Sequence, residues 1–120
     1  MNLAKTAAGY NETYPNENPC GGVVGEIKIN NVLNYFALQM EISYWHAFNN
    51  GRASQSLFKC VTTISGAMGL FNSDGIKKVI NDYPKQTLLG VKCIFGEDRH
   101  ITSGLIENHS AVLYDGSAYA

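Results

Sequence analysis

The sequence predicts an α+β domain, with N-terminal helices followed by a small, mainly antiparallel sheet. Three observations carry that expectation. Apolar residues recur three or four apart through the first half of the 120 residues, and short apolar runs between turn formers fill the second half. Hydrophobic residues make up 45% of the chain and charged residues only 16%, a balance that supports a packed core and excludes disorder. Helical spacing first and strands second is the order of an α+β fold. The length suits one domain over residues 1–120.

Residues 1–22 read as an irregular lead-in, because Asn11, Pro15, Asn16, Asn18, Pro19, Gly21 and Gly22 all favour turns. Residues 23–48 fit two templates. Val32, Phe36, Met40, Tyr44 and Phe48 form a stripe at helical spacing, whereas Leu38, Met40, Ile42 and Tyr44 alternate with Gln39, Glu41 and Ser43 as in a strand. Length favours a helix from about Asn31 to Asn49, stopped by Asn49, Asn50 and Gly51.

Leu57, Val61, Ile64 and Met68 predict a second helix over 53–71, with Ser54 or Ser56 as its cap. A short helix over 75–82 follows Ser73 and Asp74 and is closed by Pro84, which cannot continue it. Strands are expected at Leu88–Phe95, His100–Ile106 and His109–Tyr114, with a turn at Gly96–Arg99. Asp115-Gly116 is a hairpin pair that would lead into a last strand, Ser117–Ala120.

Nine Lys and Arg against ten Asp and Glu leave a net charge of −1, so nothing condenses onto a phosphate backbone and nucleic acid is disfavoured as a partner. Met1–Asn18 lacks the apolar run of a signal peptide, and no segment has the apolar length of a membrane span. The expectation is a soluble protein without a membrane partner, cytoplasmic or delivered into the cytoplasm of a target cell. Cys20, Cys60 and Cys93 share no short spacing, which suits reduced thiols, with Cys60 and Cys93 as buried apolar residues. Three scattered His give no metal motif, and no phosphate-cradling glycine loop implies a cofactor.

The candidate nucleophile is Cys20, in Asn18-Pro19-Cys20-Gly21-Gly22; a thiolate attacks, and the glycines let a substrate backbone approach. The candidate general base is His109, at the head of an apolar strand that ends in Tyr114-Asp115-Gly116. An early Cys-Gly pair, a helix, and a late His opening a strand that ends in Asp-Gly resemble papain-like cysteine hydrolases, in particular small bacterial peptidases, amidases and papain-fold toxin domains. The resemblance implies a bacterial effector or toxin-like hydrolase of an amide bond. Cys20 would attack, His109 would take its proton, Asp115 or Asn108 would orient the imidazole, and Asn16 or Asn18 would face the oxyanion. Its substrate would be a protein or peptide, and a cognate immunity protein would be a partner.

Two alternatives remain open from the residues. Arg99, His100 and His109, with Tyr114 or Tyr119 in reach, have the acid, base and cation of a metal-independent ribonuclease. Seven Tyr, five Phe and one Trp beside many Asn also suit a non-enzymatic binding or immunity-type module.

Overall fold

Strand β1, Cys20–Glu26, is buried along its whole length and organises the molecule. The computed structural model describes residues 3–81, 83–85, 87–92, 95–108 and 110–120. On one side β1 pairs with β2, Gly69–Phe71, in antiparallel register; on the other it pairs in parallel with β5, Ala111–Tyr119. The sheet order is β2-β1-β5, and a separate two-stranded hairpin joins β3, Thr87–Leu88, to β4, Val91–Lys92. Helices and a small mixed sheet make the fold α+β, helices first. Glycine lets the sheet be covered closely: a Cβ on Gly22 would stand 2.4 Å from Ile64 Cδ1 and 3.0 Å from the Leu70 carbonyl oxygen.

The lead-in expected to be irregular contains α1, Leu3–Thr13. The turn formers begin only at Asn11, and before them Leu3, Ala7 and Tyr10 lie on one helical face. That face packs on Cys20, Val23, Ala111 and Leu113, forming the smaller of two cores. Of the ambiguous stretch 23–48, residues 23–26 belong to β1, and helix α2, Tyr35–His46, begins four residues later than the expected Asn31. Asn34 caps it, its side-chain oxygen accepting from the Ala37 amide at 2.8 Å. Asn49-Asn50-Gly51 does not stop it. The chain runs on through a π-helical turn, Ala47–Arg52, into α3, Ala53–Leu57.

The second helix expected over 53–71 ends at Leu57, because Lys59 adopts φ 58° and turns the chain out of the helix. Val61 and Ile64 are nevertheless fully buried, as residues of an extended segment. Their amides find partners in the Val112 carbonyl at 3.3 Å and Thr102 Oγ1 at 3.0 Å. Cys60 bridges to Val112 on this segment and is only half-buried, whereas Cys93 lies outside the described residues. Helix α4, Ser73–Val79, falls close to expectation, with the Asn72 side chain accepting from the Asp74 amide at 3.0 Å.

The turn expected at Gly96–Arg99 and the strand at His100–Ile106 are instead one helix, α5, Glu97–Glu107. Gly96, at φ 85°, turns the chain into it, and Glu97 and Asp98 meet the positive end of its dipole. Thr102 and Leu105, three apart, are its fully buried residues. Leu89 and Gly90, both at positive φ, form the hairpin turn between β3 and β4, inside the stretch expected as one strand. Asp115-Gly116 makes no hairpin. It lies within β5, where the register jumps from Gly25↔Asp115 to Glu26↔Tyr119 and leaves Gly116–Ala118 as a bulge. The larger core gathers Val24, Phe48, Val61, Ile64, Val79, Leu105 and Val112.

Candidate functional site

Cys20 opens β1 and is 2% exposed. Its amide donates to Asn11 Oδ1 at 2.9 Å and its thiol to the Gly22 carbonyl at 3.5 Å. Burial pushes the thiol pKa up, and hydrogen bonding with the Gly22 backbone opposes it by less. A thiol held protonated is a poor nucleophile. The thiol borders a cavity of about 180 Å³ walled by Ala4, Ala7, Asn11, Val23, Phe71 and neighbours, none of them a base. Asn18 faces a different cavity, about 380 Å³, beside Lys59 and Cys60.

His109 lies outside the described residues. Asp115 sits opposite Gly25, five residues along the sheet from Cys20, or roughly 16 Å at the strand rise. Burial alone would raise the Asp115 carboxyl; hydrogen bonds from Ser117 and Thr6 more than reverse that and leave its pKa below the usual value. Asn108 ends α5, its amide donating back to the Gly104 carbonyl at 2.8 Å. Asp115 is thus not brought to Cys20, and Asn108 directs its side-chain amide back onto α5. Arg99 is exposed and His100 half-buried on α5, while Tyr114 lies on β5.

Polar chemistry concentrates instead where β1 and β5 finish. The π-helical turn, a rare form often found at functional sites, carries Phe48, Asn49 and Arg52 to this end. Arg52 lies four residues beyond Phe48 and stacks its guanidinium 4.1 Å above that ring. Phe48 packs in turn on Tyr114, with centroids 6.2 Å apart. Glu26, 5% exposed, accepts from Asn49 Nδ2 at 2.8 Å and pairs with Lys28 at 3.6 Å. Asp98, in the first turn of α5, accepts from the Gly66 amide at 3.1 Å.

These groups interact through space. Burial lowers the Arg52 pKa, and Tyr114 and Asp98 pull it back up. Burial raises the Tyr114 phenol, Glu26 and, less strongly, Asp115 add to that, and Arg52 opposes it. Arg52 Nη1 and Tyr114 Oη are both buried and bond to nothing among the described residues. Each such donor costs about 1–3 kcal/mol, so the cluster keeps two donors free at a cost in stability. A carboxylate, a cation and two free donors can accept a proton and stabilise negative charge.

Of the described residues picked from sequence, Tyr114 belongs to this cluster and Asp115 lies beside it, within electrostatic reach of Tyr114; Glu26, Asn49, Arg52 and Asp98 were missed. One signal was present. Arg52 is one of two arginines in the chain, and it follows Phe48 at helical spacing.

No protein-family model matches the chain. It is similar to hyaluronan synthase 3 of Xenopus laevis, 40% identical over 87 residues, covering 72% of this chain and 16% of that protein. Human hyaluronan synthase 3 is 39% identical over the same shares. Chicken (Gallus gallus) hyaluronan synthase 2 is 36% identical over 95 residues, 78% of this chain and 17% of that one. The chain therefore spans about one-sixth of the length of these relatives. Any stretch of 87 among 120 residues includes Phe48, Asn49 and Arg52.

This likeness overturns the papain-like resemblance, since the relatives are glycosyltransferases rather than hydrolases. With it fall amide hydrolysis, the ribonuclease alternative and the bacterial toxin or effector role, and the non-enzymatic module gains no support. The expectations of a protein or peptide substrate with an immunity partner, and of a cytoplasmic protein without a membrane partner, are overturned by the same relatives. Among the described residues, no helix is long and apolar enough to cross a membrane.

Proposed function

We propose that this chain supplies part of the glycosyl-transferring unit of a polysaccharide synthase, with the cluster at the finishing ends of β1 and β5 as its site. The observation that carries the proposal is the 36–40% identity to hyaluronan synthases over 72–78% of the chain. Glycosyl transfer from a nucleotide sugar needs two things from a protein. A carboxylate takes the proton of the attacking sugar hydroxyl, and donors or cations meet the charge that grows on the departing phosphate. Asp98 is the proposed proton acceptor, because the Gly66 amide holds one of its oxygens and Arg52 lies within electrostatic reach. Arg52 and Tyr114 supply the free donors.

The test replaces the matching stretch of Xenopus laevis hyaluronan synthase 3 with the corresponding residues of this chain. Incorporation of labelled glucuronate and N-acetylglucosamine into hyaluronidase-sensitive polymer is then measured in membranes. The exchanged segment is extended where needed so that it carries residues 26–114 of this chain. Polymer synthesis is expected, and Asp98→Asn in this segment should lower the rate by about 100-fold or more. An exchanged protein that accumulates to the parental level and makes no polymer overturns the proposal. If it does not accumulate, the 120-residue chain is titrated with a uridine diphosphate sugar, and failure to bind overturns it equally.

A further inference from the structure

Helix α2 is mostly apolar, with Gln39, Ser43 and His46 on one face and Glu41 elsewhere, and it buries none of its residues. Leu33, just before its cap, is 92% exposed; Tyr35 and Phe36 are 74% and 75%, and Met40, Ile42 and Trp45 are all more than half exposed. Water does not tolerate so much continuous apolar surface on a stable monomer, and a helix of this kind belongs inside a protein or a membrane. A shallow groove of about 450 Å³ runs along it between Phe36, Gln39, Met40, Ser43, Tyr44 and Ala47. The spacing of four between Phe36, Met40 and Tyr44 is that of a ridge that packs against another helix.

Two features argue against lipid as the covering. The helical run continues to Leu57, but its apolar part ends at Phe48, before Asn49-Asn50-Gly51-Arg52. At 14 residues that part is about 21 Å long, short of the ~30 Å of a bilayer's hydrocarbon. A helix lying in the headgroup region carries Lys or Arg on its polar face, yet residues 29–51 contain neither. The one carboxylate on α2, Glu41, is turned back to accept from the Ile29 amide at 2.7 Å. The helix offers nothing that would hold a charged surface.

We infer that α2 is an internal helix, covered along Phe36, Met40 and Tyr44 by an apolar helix contributed by polypeptide beyond residues 1–120. The length of the relatives supports this occupant, since about five-sixths of each lies outside the match. The inference shares with the proposed function the premise that the chain works within such a longer protein, but it does not depend on which reaction that protein performs.

The test uses Met40→Cys, with Leu33→Cys as a second position, after Cys20, Cys60 and Cys93 are changed to Ala. Maleimide labelling rates are compared between the 120-residue chain and the same chain exchanged into Xenopus laevis hyaluronan synthase 3 in detergent. Lys77→Cys, exposed on α4, reports equal access in both. Labelling at both test positions should be about tenfold or more slower in the exchanged protein, as thiol access dictates.

Equal rates in the two settings overturn the inference. Slow labelling of the chain alone, with the mass of a dimer by light scattering, overturns it in favour of a second copy. Protection found only in phosphatidylcholine vesicles overturns it in favour of lipid. Protection in an exchanged protein that makes no polymer leaves the inference standing and removes the proposed function, and rapid labelling of an active protein does the reverse.

Discussion

The two ends of the β1–β5 pair are built on opposite terms. Where the strands begin, Cys20 and Ala111 are sealed beneath α1, and the thiol has a hydrogen-bond partner. Where they finish, Glu26, Arg52 and Tyr114 interact, with Asp98 within electrostatic reach of Arg52, and two buried donors have no partner among the described residues. Reactive residue type and reactive site are therefore different properties. Cys20 is the more reactive kind of side chain, but its surroundings suppress ionisation, whereas the other end accepts a penalty to keep polar groups unspent. In parallel sheets the carboxyl ends of strands are also where ligands bind.

The contrast breaks most severely at Phe48, the floor under both Arg52 and Tyr114. Phe48→Ala should cost about 3–5 kcal/mol of stability, read as a lower denaturant midpoint of the 120-residue chain. Cys20→Ser tests the sealed end. A hydroxyl in place of the buried thiol should cost about 1–3 kcal/mol and leave polymer synthesis by the exchanged protein unchanged; lost synthesis in a stably folded variant would return Cys20 to the site.

Arg52→Met sharpens the comparison from the other side. Removing a half-buried cation with a free donor should change stability by less than about 1 kcal/mol, or raise it. Sugar transfer by the exchanged protein should nevertheless fall by about 100-fold. A large stability loss with normal transfer would make Arg52 a structural residue.

The fold was legible where local pattern alone decides. The stripe of Phe36, Met40 and Tyr44 gives α2, and Ser73 and Asp74 ahead of Pro84 give α4. Reading failed where long-range pairing overrode local chemistry. Asp115-Gly116 has hairpin character, yet β1 captures it in parallel register and turns it into a bulge. Val61 and Ile64 repeat like helix residues but are buried from an extended segment, since Lys59 has already broken the helix. Gly96-Glu97-Asp98 reads as a turn, and the same acids stabilise the start of α5. The site was hidden for a related reason: Glu26, Arg52, Asp98 and Tyr114 are far apart in sequence, and a π-helical turn sets the position of Arg52.

The smallest expected effects separate the two ends by the sign of their pH dependence. Cys20 holds its proton more tightly folded than unfolded, so its contribution is complete below the ordinary thiol value and is lost as pH rises through and above about 9.0. Asp115 is the reverse: hydrogen bonds from Ser117 and Thr6 favour its carboxylate, so its contribution is complete above the ordinary value of 3.8 and is lost as pH falls below it. Thermal melting should fall off on both flanks. Cys20→Ala should flatten only the alkaline flank between about pH 8 and 10, and Asp115→Asn only the acid flank between about pH 4 and 2.5. The comparison is best made below about pH 10, because the raised phenols of Tyr10 and Tyr114 begin to contribute beyond it. If Cys20→Ala left the alkaline flank intact, the thiol would titrate as an exposed one does, and the seal that distinguishes the two ends would be absent.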